Sequence, residues 1–371
     1  MKRTTVAASG PVEIVHDFMV GVGGAERVAV ALASSFGASV TTLLHRPQTV
    51  FDVESTPVRA LWPSRIRPLR EHHRWSLPIA AATFARTRVD APLTICSSSG
   101  FSHAVETTGP KIVYCHTPAR WLHDTDRYLR RFGPVAGVAA TRLRSREARR
   151  DLVAMRSADR VVANSSVIAD QIGEIYGIEA RVVAPPSTLD LDRPLDAATE
   201  RHLAETVGHG YVLCPSRALG YKRLDVLLDA ARRIPDLTFV HVGDGPERRR
   251  LVATAPENVR LLGEVDDAAL VWLYRHAGLV ALTSAEDFGL VPVEARAFGV
   301  ASVVPEARGF LDHVRPDENG WFYPLGDAAA LAEVVSERVG ARVEAPVRDP
   351  LGRERFACAM REVATEFVPC S

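Results

Sequence analysis

Leu279-Val-Ala-Leu-Thr-Ser-Ala-Glu-Asp-Phe-Gly-Leu-Val-Pro-Val-Glu-Ala-Arg-Ala-Phe-Gly299 is the stretch whose reading decides the fold. The apolar run 279–283 predicts a buried strand, Pro292 opens a short helix, and Gly299 ends it. Glu286 lies in the loop at the strand's carboxyl end, where α/β sheets bind ligands. Backbone N–H groups at Phe288, Gly289, Leu290 and Val291 are expected to face that ligand. Glu294 has two readings. A glutamate near the third helical position often caps its own helix, but Val291 as the N-cap has no hydroxyl to complete a capping box. The other reading pairs Glu294 with Glu286, two carboxylates suited to the hydroxyls of a sugar and a ribose.

Working outward, the same alternation recurs. Strands are expected at 211–215, 237–242, 259–262 and 301–304, with helices over 223–233, 246–255 and 268–276. The first half predicts strands at 12–16, 39–44, 93–96, 112–115 and 160–163, and helices at 25–35 and 167–176. Strands alternating with helices imply βαβ units and a mostly parallel sheet. The expected class is α/β, with two doubly wound, Rossmann-like domains facing a cleft. Residues 1–186 form the first, 187–210 a linker, 211–350 the second, and 351–371 a C-terminal helical segment.

At 371 residues with 47% apolar side chains, the chain supports two cores. Zero formal net charge gives no basic footprint for nucleic acid. Cys96, Cys115, Cys214, Cys358 and Cys370 form no CxxC pair, so neither a zinc site nor a disulfide framework is expected. That usage suits a reduced, cytoplasmic setting. The N-terminus shows no secretory apolar region, and no 18-residue apolar run occurs. Residues 59–74 and 142–150 are strongly basic. They read either as solvated helix faces or as peripheral contacts with the anionic inner face of a plasma membrane.

Three further segments carry chemistry. After the first strand, Gly21, Gly23 and Gly24 let the backbone turn tightly toward a ligand at a helix N-terminus, or simply make a turn. A dinucleotide fingerprint fails here, because Glu26 holds the third glycine position and the second strand ends without an acid. Ser216-Arg-Ala-Leu-Gly-Tyr-Lys222 sets Arg217 and Lys222 on a strand-to-helix loop, suited to a diphosphate. Lys222 is one of three lysines among 45 basic residues, and an ammonium fits as a compact point charge where a guanidinium fork does not. Val242-Gly-Asp-Gly-Pro246 either simply makes a tight βα turn or, with Gly243 leaving room for a flat base, seats a nucleoside.

With these segments in order, the sequence resembles glycosyltransferase family 4, retaining enzymes of the GT-B fold, and most of all its mannosyltransferase-type members. Glu286 to Glu294 is similar to the family's E-x7-E motif. Arg217 and Lys222 match its diphosphate-binding pair, and Gly23-Gly24 its facing glycine turn. Cys115-His-Thr-Pro118 matches the segment whose histidine, here His116, lies near the reacting sugar carbon; an ordinary strand-end histidine is the alternative. The resemblance implies that Glu286 binds the transferred hexose, that Glu294 binds the ribose, and that Asp287, Phe288, Gly289 and Leu290 line the donor. It implies a nucleotide-sugar donor without cofactor or metal, although Asp190-Leu-Asp192 has the form of a D-x-D. It also implies a glycan, lipid-linked or small-molecule acceptor, and a last helix, about 352–367, that returns to the first domain. One departure stands out. Many relatives carry R-G-G-x-x-E, and here Arg308-Gly-Phe-Leu-Asp312 leaves only Gly309 to supply an amide, while Phe310 is expected to narrow the sugar pocket. The lead expectation is mannose transfer from GDP-mannose in surface polysaccharide synthesis. UDP-sugars and natural-product acceptors stand behind it, with a non-catalytic partner subunit and a nicotinamide oxidoreductase as readings of other classes.

Overall fold

The long apolar runs of the sequence become strands covered on both faces, the form that parallel sheets impose. The computed structural model describes residues 4–343 and 352–367, apart from 9, 22, 47–55, 124–136 and 188; Cys370 lies outside them. The chain divides into two units, Met1–Pro186 with Arg353–Ser371, and Ser187–Gly352.

The strands of the first unit are β1 (Thr4–Ala7), β2 (Val12–Met19), β3 (Ser39–His45), β4 (Val58–Ala60), β5 (Thr87–Asp90), β6 (Leu93–Ser98), β7 (Glu106–Thr107), β8 (Lys111–Cys115), β9 (Arg160–Ala163) and β10 (Arg181–Val182). Seven of them form a parallel sheet in the order β10-β9-β8-β6-β2-β3-β4. Strand order reverses between β2 and β6, and the loop beyond β6 is tied to the end of β2 by Asp17. Its carboxylate accepts the N–H groups of Ser99 and Ser102, both at 2.6 Å. A second, three-stranded parallel sheet, β1-β5-β7, was not foreseen in the sequence. Its strands are short, and β5 alternates buried with exposed residues on a one-sided surface. Helix α1 (Gly24–Phe36) buries Val28 and Leu32 and ends at left-handed Gly37.

Helix Arg353–Thr365 completes this unit. Phe356, Met360 and Val363 are buried in one cluster with Ile14, Leu32 and Tyr114, and the Phe356 and Tyr114 rings meet edge to face at 5.7 Å. Arg361 donates to the Ser35 carbonyl at the end of α1.

The second unit has one parallel sheet: β11 (Val212–Pro215), β12 (Phe239–Val242), β13 (Val259–Gly263), β14 (Leu279–Ala281), β15 (Ser302–Pro305) and β16 (Gly320–Tyr323), ordered β13-β12-β11-β14-β15-β16. Its switch point lies between β11 and β14. The stretch expected to be a linker, 187–210, holds a helix at Ala197–Val207, capped by Asp196. Leu203 and Val207 are buried in one cluster with Trp272. A mostly exposed, charged helix face disguised that amphipathic pattern in the sequence.

Truncating Phe356 to Ala removes a buried aromatic from the closing helix, for which the expected loss is about 3–5 kcal/mol. Urea unfolding of the variant checks this, and a loss below about 1 kcal/mol would show that the helix is dispensable to the first core.

Candidate active site at the switch point of the six-stranded sheet

Two loops leave the carboxyl ends of β11 and β14 side by side, because those neighbouring strands continue the chain in opposite directions across the sheet. The first carries Arg217 and Lys222, the second Glu286. The structure joins two of the three. Lys222 Nζ sits 2.6 Å from Glu286 Oε1, with side chains 14% and 24% exposed. A half-buried ammonium needs such a counter-charge. The Thr283 hydroxyl donates to the Lys222 carbonyl at 2.7 Å, and Ser284 Oγ donates to the same Glu286 oxygen. Among the described residues, Oε2 of Glu286 accepts no hydrogen bond. Arg217 is exposed on the same loop and takes no ion pair among the described residues.

The helix after this loop starts earlier than expected. It spans Leu290–Ala297, and its N-cap is Gly289 at φ 85°, not Val291. Glu294 is therefore the fifth helical residue and cannot act as a first-turn cap. Its Oε2 accepts a 2.8 Å hydrogen bond from the Tyr274 hydroxyl. Nothing in the sequence marked Tyr274, which reads as one more apolar position of helix Asp267–His276.

Phe310 corrects the expectation that it narrows the sugar pocket. It is fully buried, in a small core with Leu282, Val304 and Val314. Its ring lies where a Cβ on Gly289 would be, with Cε1 2.3 Å from that position. Gly309 differs from expectation too. Its N–H donates to the Glu286 carbonyl at 3.0 Å, and a Cβ there would meet the Asp287 carbonyl oxygen at 2.3 Å. The glycine serves close backbone packing, and its amide holds the loop. Asp287 is likewise engaged, by Arg308 at 2.5 Å. Phe288 is buried and stacks on His313 with ring centroids 4.9 Å apart.

Gly243 also faces backbone. It adopts φ 131°, and a Cβ would stand 2.2 Å from the Ser216 carbonyl oxygen, so the turns after β11 and β12 can touch only through a glycine. His241 Nε2 donates to that same oxygen at 2.8 Å. Arg223 and Arg308, non-glycine residues with left-handed backbone at φ 51° and 55°, adjoin Lys222 and Gly309. Such strain costs about 1–3 kcal/mol each and gathers at functional loops.

The remaining expected site residues lie in the first unit. His116 is buried, and its Nε2 shares a 2.8 Å hydrogen bond with Ser97 Oγ. Ser97 Oγ in turn lies 3.0 Å from His16 Nδ1. Burial, with His16 adding to it, pushes His116 down to about 3, so it is a neutral imidazole. Gly23 is the N-cap of α1 and Gly24 its first residue. The Glu26 carboxylate folds over the turn, 2.4 Å from where a Gly23 Cβ would be. Asp190 and Asp192 make a local turn, with the Asp192 N–H on Asp190 Oδ1 at 3.1 Å.

Comparison with solved structures gives the class. The Anabaena protein HepE, solved with UDP and glucose, superposes with a TM-score of 0.68 over 95% of this chain and 99% of its own, at 18% identity. Sucrose-phosphate synthase of Thermosynechococcus elongatus gives 0.65 over 95% and 98%, at 16% identity. The fold is GT-B, built of two Rossmann-like units. Residues 199–339 match the family model "Glycosyl transferases group 1", so the chain carries a group 1 glycosyltransferase domain, in agreement with the resemblance to family 4. Among curated relatives, the phosphatidyl-myo-inositol mannosyltransferase of Mycobacterium leprae is 32% identical over 154 residues, 39% of each chain. The D-inositol 3-phosphate glycosyltransferase of Acidothermus cellulolyticus is 33% identical over 237 residues, 57% of this chain and 51% of that one. This chain thus spans about half or less of the relatives' length.

Two outcomes are expected at this site. Gly289→Ala drives a Cβ into Phe310 at a left-handed position and should cost roughly 2–4 kcal/mol. Phe310→Leu in the same chain should recover part of that loss, measured as a double-mutant cycle; simple additivity would separate the two residues. Burial lowers His241 and His313 to about 4. The unfolded chain, with histidines near ~6.5, therefore binds more protons between those values. Stability is full above about pH 6.5 and falls as pH drops toward 4. Thermal midpoints across that range test the sign, and a flat profile would contradict it.

Proposed function

We propose that the chain is a retaining hexosyltransferase that takes its sugar from a nucleoside diphosphate, with GDP-mannose as lead donor. The observation that carries this reading is the Lys222–Glu286 pair, 2.6 Å apart at the switch point. The ammonium keeps two further N–H donors for diphosphate oxygens, and the second carboxylate oxygen of Glu286 is open to a sugar hydroxyl. Arg217 adds charge from the same loop. In this reading Glu294, which accepts a hydrogen bond from Tyr274, binds the ribose hydroxyls.

The acceptor hydroxyl attacks the anomeric carbon on the face from which the diphosphate leaves. A departing phosphate oxygen takes its proton, so the new bond keeps the old configuration. That route needs no protein nucleophile. It needs positioning and stabilisation of the charge that grows on the leaving diphosphate, which Lys222 and Arg217 supply. No metal has a role in this scheme. The acceptor is a bacterial surface glycan or its lipid-linked precursor.

The mannose assignment is supported by the mannosyltransferase relative. UDP-sugars are the second reading, supported by the solved neighbour that holds UDP and glucose. The exposed Trp62 and Ile66, set among the basic residues of 59–74, and Trp75 directly after them, support peripheral adsorption to an anionic membrane from the cytoplasmic side. Among the described residues no helix is long and apolar enough to cross a membrane.

Lys222→Met and Glu286→Gln should each lower transfer at least ~100-fold, measured below their unfolding midpoints, which should also fall because each change leaves a half-buried charge without its partner. A thermal-shift panel of GDP-mannose, UDP-glucose, GDP and UDP identifies the donor, since a ligand at 100 times its Kd stabilises by about 2.7 kcal/mol. Near-normal transfer by both variants, or no stabilisation by any nucleotide, would overturn the reading.

A further inference from the structure

The first unit contains a cavity of about 1280 Å3, larger than the ~300–1,000 Å3 typical of small-molecule sites. It lies between the end of helix Leu77–Phe84, the small β1-β5-β7 sheet and the C-terminal half of helix Gly137–Arg156. None of the donor-site residues lines it.

Its polar lining is already satisfied from within. Asp151 accepts from His103 at 2.9 Å, His123 at 3.0 Å and the Tyr176 hydroxyl at 2.8 Å. His103 uses its other nitrogen on Ser98 Oγ at 2.8 Å. Lys111 is buried, and its ammonium donates to the carbonyls of His103 at 2.9 Å and Ala154 at 3.3 Å and to Ser157 Oγ at 2.7 Å. These groups gain nothing from a polar ligand. What they leave for an occupant is the apolar surface of Ala81, Ala82, Ala85 and Val153, with Val153 69% exposed and Phe101 and Leu122 buried behind it.

The rim has the opposite character. Arg86, Arg88, Arg146 and Arg149 line it, and none of the four takes an ion pair with a described residue. The acidic lining residues are engaged: Glu147 with Arg150, Asp151 as above, and Glu106 also has a partner. Guanidinium forks match phosphate oxygens in pairs. An apolar interior under an uncompensated arginine rim is complementary to a molecule with one flexible chain and an anionic head.

We infer that this cavity is a binding site for a single-chain amphipathic anion, an isoprenoid or acyl chain bearing a phosphate or diphosphate. The inference goes beyond the donor assignment, uses none of its residues, and stands or falls separately from it.

Isothermal titration of the full chain with farnesyl phosphate, kept below its micelle concentration, tests it, with farnesol and inorganic phosphate as the two half-molecules. Saturable binding of farnesyl phosphate is expected, at least tenfold tighter than either half. Arg146→Glu with Arg149→Glu at the rim, and Ala82→Trp on the floor, should each weaken it at least tenfold while leaving the nucleotide-induced thermal shift unchanged. Absence of binding, equal binding by the rim variant, or farnesol binding as tightly as its phosphate would overturn the proposal. So would phosphatidylglycerol vesicles that bind wild type and Ala82→Trp alike while farnesyl phosphate binds neither, because the arginines would then be a membrane-adsorbing face only.

Discussion

A half-buried ammonium cannot stand without a counter-charge, and the pairing of Lys222 with Glu286 is the constraint around which the second unit's working end is arranged. It fixes the loop after β11 against the loop after β14. Thr283 holds the Lys222 backbone, and Ser284 shares the carboxylate. Behind the carboxylate, Gly309 pins the Glu286 carbonyl, and Phe310 fills the space that Gly289 leaves empty. Each contact restricts the next, so the pair is held by backbone as much as by charge. A charge held in this way needs little reorganisation to act on an anion, and on the proposed reading that anion is the leaving diphosphate.

The first unit solves a different problem with the same means. Its sheet is covered on both faces, yet Glu13, His16, Asp17, Lys111 and Asp151 are buried in it or beside it. Each is satisfied by named partners. Glu13 accepts from Ser39 and Thr41, and burial raises its carboxyl above the ordinary value. The three hydrogen bonds on Asp151 hold it well below the usual carboxylate range. Buried polar groups with full partners fix loop positions sharply, because any displacement strands a donor or an acceptor. That rigidity frames both His116 and the arginine-rimmed cavity.

Much of this was legible in the sequence. The 279–283 run and the loop after it announced a βα unit, since strand burial is a local matter, although the helix begins two residues before the Pro292 start that the sequence suggested. Arg217, Lys222 and Glu286 could be named from residue type and position on their loops. The small sheet and helix Ala197–Val207 were missed for complementary reasons. Two-sided burial gives a strong apolar run, whereas a half-exposed short strand or helix shows only a diluted pattern.

By itself, the sequence determined the α/β class, the two series of strands and the chemical types at the switch point, because those follow from periodicity and from which side chains carry charge. Only the tertiary structure decided what each side chain meets. It put Phe310 into the core rather than a pocket and gave Gly309's amide to a carbonyl. It supplied Tyr274 as the support of Glu294, and it left four arginines around an apolar cavity. Packing of residues distant in the chain, not local pattern, sets those outcomes, since a burial environment is assembled from strands and helices that the sequence lists far apart.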